Sequence, residues 1–430
     1  MASRPAISPA RACAFAVVRR VFEQGAYADR AFTAESGSAA LEARDRALAM
    51  QIAYGTVQRR LTLDHVAQGL VRGRLSELEP AVLAALSIGL YQLLYLDGVA
   101  SHAAVNESVE LVKPLSPGGA GLVNAVLRRA ADAGRSLLEG LDDDTPQGAA
   151  VMHSVPPWLA EMWWEELGPD EARRLLRAVN EPPESAVRVN TLVATVDDVV
   201  RRLGVPSHQA PGIPEGLVVE QAFDAHGSEL WREGAITPQS RGSMTVAPTL
   251  TPSAGERVLD LCAAPGAKTT HLAALMDDRG AVVAVERNRA RANGLEQTCA
   301  RMRASCVQVE LADAADPIGE RFDRVLVDPP CSGLGTLQSR PDLRWRTGPE
   351  AIAELSELQL RILTNGASAL RPSGTLVYSV CTVSRREGDG VIERFLAGHA
   401  ELELEQAIQL TPHRDGTDGF FIARLRRDGR

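Results

Sequence analysis

From Glu256 onward the chain alternates short apolar runs with amphipathic stretches, and this alternation limits the possible folds more than any other feature. The runs Arg257–Leu261, Ala281–Val285, 306–309, 324–327 and 375–380 read as strands, and helical stretches at about 267–276, 288–302, 350–370 and 384–396 separate or follow them. Such alternation predicts an α/β domain with a largely parallel, doubly wound sheet of Rossmann-like layout. Two later strands are expected, at 401–404 and 419–425.

The preceding chain has a different rhythm. Over residues 8–135, Phe15, Val18 and Phe22 recur at helical spacing, as do Leu48 and Ile52, and Val82, Leu86 and Leu90. This part reads as all-α. Ser101 is expected to cap a helix leading to Glu107. The run of three aspartates before Thr145-Pro146 breaks the pattern, so a linker is expected at 136–150. Residues 155–180 turn helical again after Pro156-Pro157. Residues 186–190 then alternate as a strand, Thr195 caps a helix with Asp197 and Asp198 in its first turn, and a weaker strand follows at 216–220. The expected division is an all-α domain at 1–135, the linker, a small α/β unit at 151–240 and the doubly wound domain at 241–430.

Charge narrows the function classes. The 430 residues carry a net charge of −9, which argues against coating nucleic acid through a global basic field. The excess is local: residues 151–240 hold 7 basic and 14 acidic side chains, and both flanks are nearly balanced. Only two lysines occur, Lys113 and Lys268. The six cysteines form no Cys-x-x-Cys pair and the eight histidines no ligand spacing, so neither a disulfide scaffold nor a metal site is expected. No apolar run approaches the roughly 18 residues of a membrane span. No signal peptide and no membrane association are expected, and a reducing cytoplasm fits best.

In an open α/β sheet, ligands bind beyond the carboxyl ends of the strands. After the first strand comes Asp260-Leu-Cys-Ala-Ala-Pro-Gly-Ala-Lys268, small residues leading into a helix amino terminus. It is neither a dinucleotide fingerprint nor a P-loop. Glu286 ends the second strand, where an acid commonly accepts from ribose hydroxyls. Asp313 follows the third strand and can contact an adenine edge. Asp328-Pro-Pro-Cys331-Ser332 follows the fourth, with two prolines stiffening the turn. Ser379-Val-Cys381-Thr382 ends the fifth. Two thiols and an acid are thereby brought to adjacent strand ends.

On the motifs 260–268, Val327-Asp-Pro-Pro-Cys-Ser332 and Tyr378-Ser-Val-Cys-Thr382, residues 240–425 resemble the Sun/Fmu group of RNA cytosine-C5 methyltransferases. Arg340-Pro-Asp-Leu-Arg-Trp345 and Asp418-Gly-Phe-Phe421 support the likeness. The small acidic unit resembles the group's RRM-like subdomain, and residues 8–135 resemble a NusB-like RNA-binding domain. This domain order resembles that of the bacterial 16S ribosomal RNA enzymes of the group.

The resemblance implies a class I methyltransferase sheet and S-adenosylmethionine as cofactor. Cys262, Ala263, Ala264, Pro265, Gly266, Ala267 and Lys268 would line its methionine and ribose end. Glu286 would hold the ribose and Asp313 the adenine. Asp328 would lie between cofactor and target base. Carbon 5 of cytosine is a poor nucleophile, and a thiolate adding to carbon 6 activates it. Spacing alone does not choose between the thiols; the resemblance makes Cys381 the nucleophile and Cys331 the residue that helps release the product. Ala267 stands where the group more often has Gly, a change tolerated if that residue has helical dihedrals. Lys268 is expected to orient Asp328 or a thiolate.

The expected substrate is 16S ribosomal RNA, methylated by a monomer at an extruded or single-stranded cytosine. Arg340, Arg344, Trp345 and Arg346 can meet phosphates and a base, or form a solvated loop with one packed Trp. Arg59, Arg60, Arg72, Arg74, Arg128 and Arg129 are further candidates. A non-catalytic RNA-binding ribosome assembly factor and an exocyclic-amino methyltransferase are the alternatives. The latter usually carries an aromatic residue where this chain has Cys331.

Overall fold

The computed structural model describes residues 7–429. The described chain forms two compact units: residues 7–181 with 337–347, and residues 182–336 with 348–429.

The first unit is helical, with Pro9–Gln24, Ala28–Ser38, Ala43–Gln58, Arg60–Leu70, Pro80–Tyr95, Ser101–Val112, Pro117–Glu139, Pro146–His153, Pro157–Leu167 and Pro169–Ala178. Six of these helices open on proline, where the missing N–H has no intrahelical partner to lose. Helix Pro80–Tyr95 is buried nearly all round and forms the centre of a core that includes Phe15, Val18, Ile52, Leu86, Leu90 and Leu127.

Three local expectations need correction in this unit. Ser101 is the first residue of its helix, with Ala100 at the cap and no side-chain cap bond. The segment 136–150 is mostly helical: Pro117–Glu139 runs into it and Pro146–His153 starts within it, with the Thr145 hydroxyl accepting from Gly148 N at 3.1 Å. The aspartates lie in a short non-helical connection at 140–145, and Thr145 with Pro146 opens the next helix. The stretch 155–180 is two helices, broken at Gly168 with φ +82°. With helix Pro146–His153 they pack inside the helical unit, not with the α/β unit that follows.

The second unit holds two sheets. The smaller comprises β1 (Ala186–Val189), β2 (Ser207–Gln209), β3 (Gly216–Val219) and β4 (Ile236–Pro238), in antiparallel order β2-β3-β1-β4. The Thr195 hydroxyl caps helix Val196–Leu203. The larger sheet comprises β5 (Arg257–Leu261), β6 (Ala281–Val285), β7 (Val307–Glu310), β8 (Phe322–Val327), β9 (Leu370–Val380), β10 (Leu402–Leu410) and β11 (Phe420–Arg427). Its order is β10-β11-β9-β8-β5-β6-β7, with β9 through β7 parallel and the last two strands antiparallel at one edge. Alternate residues of β5 serve opposite faces: Val258 packs with Leu272, Met276 and Val377, and Leu259 and Leu261 pack with Val327, Ile362 and Phe395. Burial on both faces explains why β5, β6 and the carboxyl-terminal parts of β8 and β9 read as continuous apolar runs.

The chain moves outward from β5 to β6 and β7, then returns to β8 on the other side. The strand order therefore reverses between β5 and β8, which is where a doubly wound sheet leaves a crevice. No described helix is long and apolar enough to cross a membrane.

Candidate active site

The turn after β5 forms one wall of the crevice. Cys262 has φ +66° and Gly266 φ +106°. A Cβ on Gly266 would sit 2.7 Å from Leu295 Cδ1, so both backbone angle and space demand glycine there. Ala267 is the first residue of helix Ala267–Leu275, a helical position that accepts its methyl group. Ala263 N donates to Val285 O at 3.0 Å and ties the turn to the end of β6.

A cleft opens beside this turn, lined by Cys262, Glu286, Asp313, Pro330, Leu358 and Ile362 among others. Glu286 is buried; its Oε1 accepts from Asn288 N at 2.8 Å and its Oε2 lies 3.3 Å from Arg291 Nη1. The same guanidinium donates to Ala264 O at 2.7 Å and links the two loops. Asp313 accepts from Ala315 N at 3.0 Å. Of the residues 262–268, only Cys262 lines this cleft. Ala263 and Ala264 pack in an apolar cluster with Leu295 and Cys299, and Lys268 turns toward the next loop.

There Lys268 Nζ donates to Asp328 Oδ2 at 2.8 Å, and the Ser379 hydroxyl donates to Asp328 Oδ1 at 2.7 Å. Burial works against the Lys268 charge, but the Asp328 carboxylate outweighs it and holds the ammonium above its ordinary value. The Phe420 ring lies 5.2 Å from the same ammonium, and Phe421 packs edge-on against Tyr378. These contacts account for both aromatic residues of the 418–421 motif.

Cys331, beyond β8, and Cys381, beyond β9, place their sulfur atoms 3.3 Å apart. Their surroundings differ. The Cys331 thiol lowers the Cys381 pKa by hydrogen bonding to it, against burial and the Asp328 charge, and Lys268 adds to the lowering. Cys331 is raised by that same bond, by burial, and by the Cys381 and Glu387 charges. Burial pushes Cys262, Cys299 and Cys306 up to about 12, which keeps them protonated. Asp260, one strand over, is buried with Oδ1 lacking a partner among the described residues. Burial pushes its carboxyl up to about 7.

The smaller sheet braces the first wall. Arg188, on β1 and fully buried, donates to Thr270 Oγ1 at 2.9 Å, to Ala267 O at 3.2 Å and to Gln239 Oε1 at 2.8 Å. Glu215 pairs with His271 at 2.5 Å. Arg188, Arg291, Ser379, Gln359 and Glu387 carry contacts that sequence reasoning missed. Only Ser379 had a local signal, as a member of the Cys381 motif.

The segment 337–347 departs from expectation. Arg344 is fully buried in the first unit, where it donates to Ser154 O at 3.0 Å, Asn180 Oδ1 at 3.0 Å and Val179 O at 3.2 Å. Trp345 Nε1 donates to Val57 O at 2.7 Å, and Arg346 lies 3.7 Å from the centre of the Tyr27 ring. Arg344 is thus a packing residue with no surface to offer RNA, because it is buried and its Nη1 and Nη2 donate to carbonyl oxygens within the unit. Arg59 and Arg60 stack on Tyr95 and Phe22. Arg72, Arg74, Arg128 and Arg129 are exposed.

Comparison with known proteins covers nearly all of the chain. Residues 247–426 match the model of 16S rRNA methyltransferase RsmB/F, residues 8–132 the NusB family, and residues 155–226 the ferredoxin-like domain of RsmF/B-like methyltransferases. A probable ribosomal RNA small subunit methyltransferase B of Bacillus subtilis is 32% identical over 416 residues, covering 90% of this chain and 92% of its own length. The ribosomal RNA small subunit methyltransferase B of Thermus thermophilus is 36% identical over 397 residues, 89% of each chain. The crystal structure of PH0851 is similar with a TM-score of 0.83 at 28% identity, over 98% of this chain and 100% of that one.

Proposed function

Because the chain belongs to the RsmB/F family of 16S rRNA methyltransferases, we propose that it methylates carbon 5 of a cytosine in 16S rRNA through a covalent bond between Cys381 and that base. The observation that carries this reading is the 3.3 Å contact of two thiols, one lowered and one raised, beside the Lys268–Asp328 pair.

The cleft suits S-adenosylmethionine. Glu286 offers a carboxylate to ribose hydroxyls, Asp313 an acceptor to the adenine edge, and Pro330, Leu358 and Ile362 apolar walls. The orphaned Asp260 Oδ1 is an acceptor that an amino group can fill. When bound, the cofactor supplies an electrophilic methyl group on its sulfonium.

The residues of the chain do the rest. Cys381 adds as thiolate to ring carbon 6, which makes carbon 5 an enamine carbon. Asp328, held in place by Lys268 and Ser379, donates in its protonated form a hydrogen bond to the ring nitrogen where electron density collects. After methyl transfer a base removes the proton on carbon 5, the carbon–sulfur bond to Cys381 breaks, and Cys331 assists that release.

The test is a trap. On RNA containing 5-azacytidine, the wild-type protein should form a stable adduct through Cys381, and Cys381→Ala should form none and show no turnover. Cys331→Ala should accumulate a covalent complex with ordinary substrate RNA. The reverse pattern exchanges the two roles, and no adduct with either thiol rules the mechanism out. Bisulfite sequencing of RNA from cells with and without the protein identifies the cytosine.

A further inference from the structure

The geometry points to Glu387 as a positioning residue that sets the two thiols against each other; this rests on the cysteine chemistry above. Glu387 lies in the turn between β9 and helix Asp389–Leu396 and is fully buried. Its Oε1 accepts from the backbone N of Ser332 at 2.8 Å and from Gln359 Nε2 at 3.1 Å. Its Oε2 accepts from the hydroxyls of Ser332 at 2.5 Å and Thr382 at 3.0 Å. Ser332 is the residue after Cys331, and Thr382 the residue after Cys381. One carboxylate therefore holds the chain immediately beyond both thiols, and its acceptor capacity is filled by four donors.

The bracket extends further. Gln359, on helix Pro349–Ser368, also donates to Pro330 O at 2.9 Å, on the other side of Cys331. Tyr378 on β9 donates its hydroxyl to Glu387 O at 2.6 Å. The loops after β8 and β9 are thus tied to one another through a single side chain. An apolar residue could fill the space without the cost of burying a charge. It could not fix direction, whereas two thiols serving one base must be placed to within about an ångström. Glu387 touches no reacting atom in this scheme; it acts through Ser332 and Thr382.

The experiment uses the full chain with Glu387→Gln and Thr382→Val. The readouts are S-adenosylhomocysteine affinity by calorimetry, KM for 16S rRNA, and the rate of adduct formation on 5-azacytidine RNA. Affinity and KM should stay within about 3-fold, while the adduct rate falls by about 10²-fold in Glu387→Gln and about 10-fold in Thr382→Val. Adduct rates within about 3-fold of wild type overturn the inference, as does a loss of S-adenosylhomocysteine affinity that matches the loss of rate. If Glu387→Gln does not fold, Ser332→Ala and Thr382→Val decide by the same readouts. A wild-type protein that forms no adduct overturns the cysteine chemistry and this inference with it; a wild-type adduct with undiminished variant rates overturns the inference alone.

Discussion

Two cysteines that look equivalent in the sequence become unequal through their neighbours. Cys381 has a thiol donor and an ammonium on its side, and Cys331 faces the Glu387 carboxylate. The thiolate is the reactive form, so a lowered value raises reactivity near neutral pH, and losing the donor must raise it again. The rate of Cys381 alkylation by iodoacetamide, followed by peptide mass spectrometry, should therefore reach its midpoint at a higher pH in Cys331→Ala than in wild type. Below that midpoint, each unit of increase removes about tenfold of the thiolate. Cys331→Ser keeps an O–H donor and should lie between the two. A midpoint that does not move would show that Lys268, not Cys331, sets the Cys381 environment.

At the scale of the element, the turn between β5 and its helix shows where a methyl group matters. Gly266 has no room for one, and Ala267, one residue on, begins the helix and already carries one. Gly266→Ala should lower stability by about 1–3 kcal/mol through backbone strain and weaken S-adenosylhomocysteine binding. Ala267→Gly should leave the affinity within about 3-fold and cost at most about 1 kcal/mol of helix propensity. Thermal melting and calorimetry on both variants check the contrast. The central strands β5, β6, β8 and β9 were legible because both faces are buried over most of their length, which writes them as apolar runs. The short strands β2 and β4 were not, since a three-residue strand such as Ser207–Gln209 is too short to show a period and faces solvent. The helix caps beside 136–150 were misread because Asp and Pro serve both as turn formers and as helix starters.

For the whole molecule, the segment 337–347 shows how far a local reading can go astray. Its arginines and tryptophan resemble a nucleic-acid contact, yet it belongs to the helical unit and fills that unit with a buried guanidinium. Removing Arg344 takes away the donor that Ser154 O and Asn180 Oδ1 have here. Arg344→Met should therefore cost about 3 kcal/mol of stability in the helical unit. The salt dependence of RNA binding should stay unchanged, because no phosphate contact is lost. Denaturant unfolding and binding isotherms across salt concentrations test both halves. A reduced salt slope with intact stability would return Arg344 to the RNA.

The sequence by itself determined the alternation that makes the sheet, the side chains available at each strand end, and, through its motifs, the family. Those follow from local periodicity and from residue chemistry at fixed spacing. Only the tertiary structure decided that Lys268 pairs with Asp328, that two sulfur atoms 50 residues apart come within 3.3 Å, and that Glu387 holds both loops while Arg344 is buried. The physical reason is that hydrogen bonds and charge pairing depend on distance in space, which the strand order sets and the linear spacing of residues does not carry.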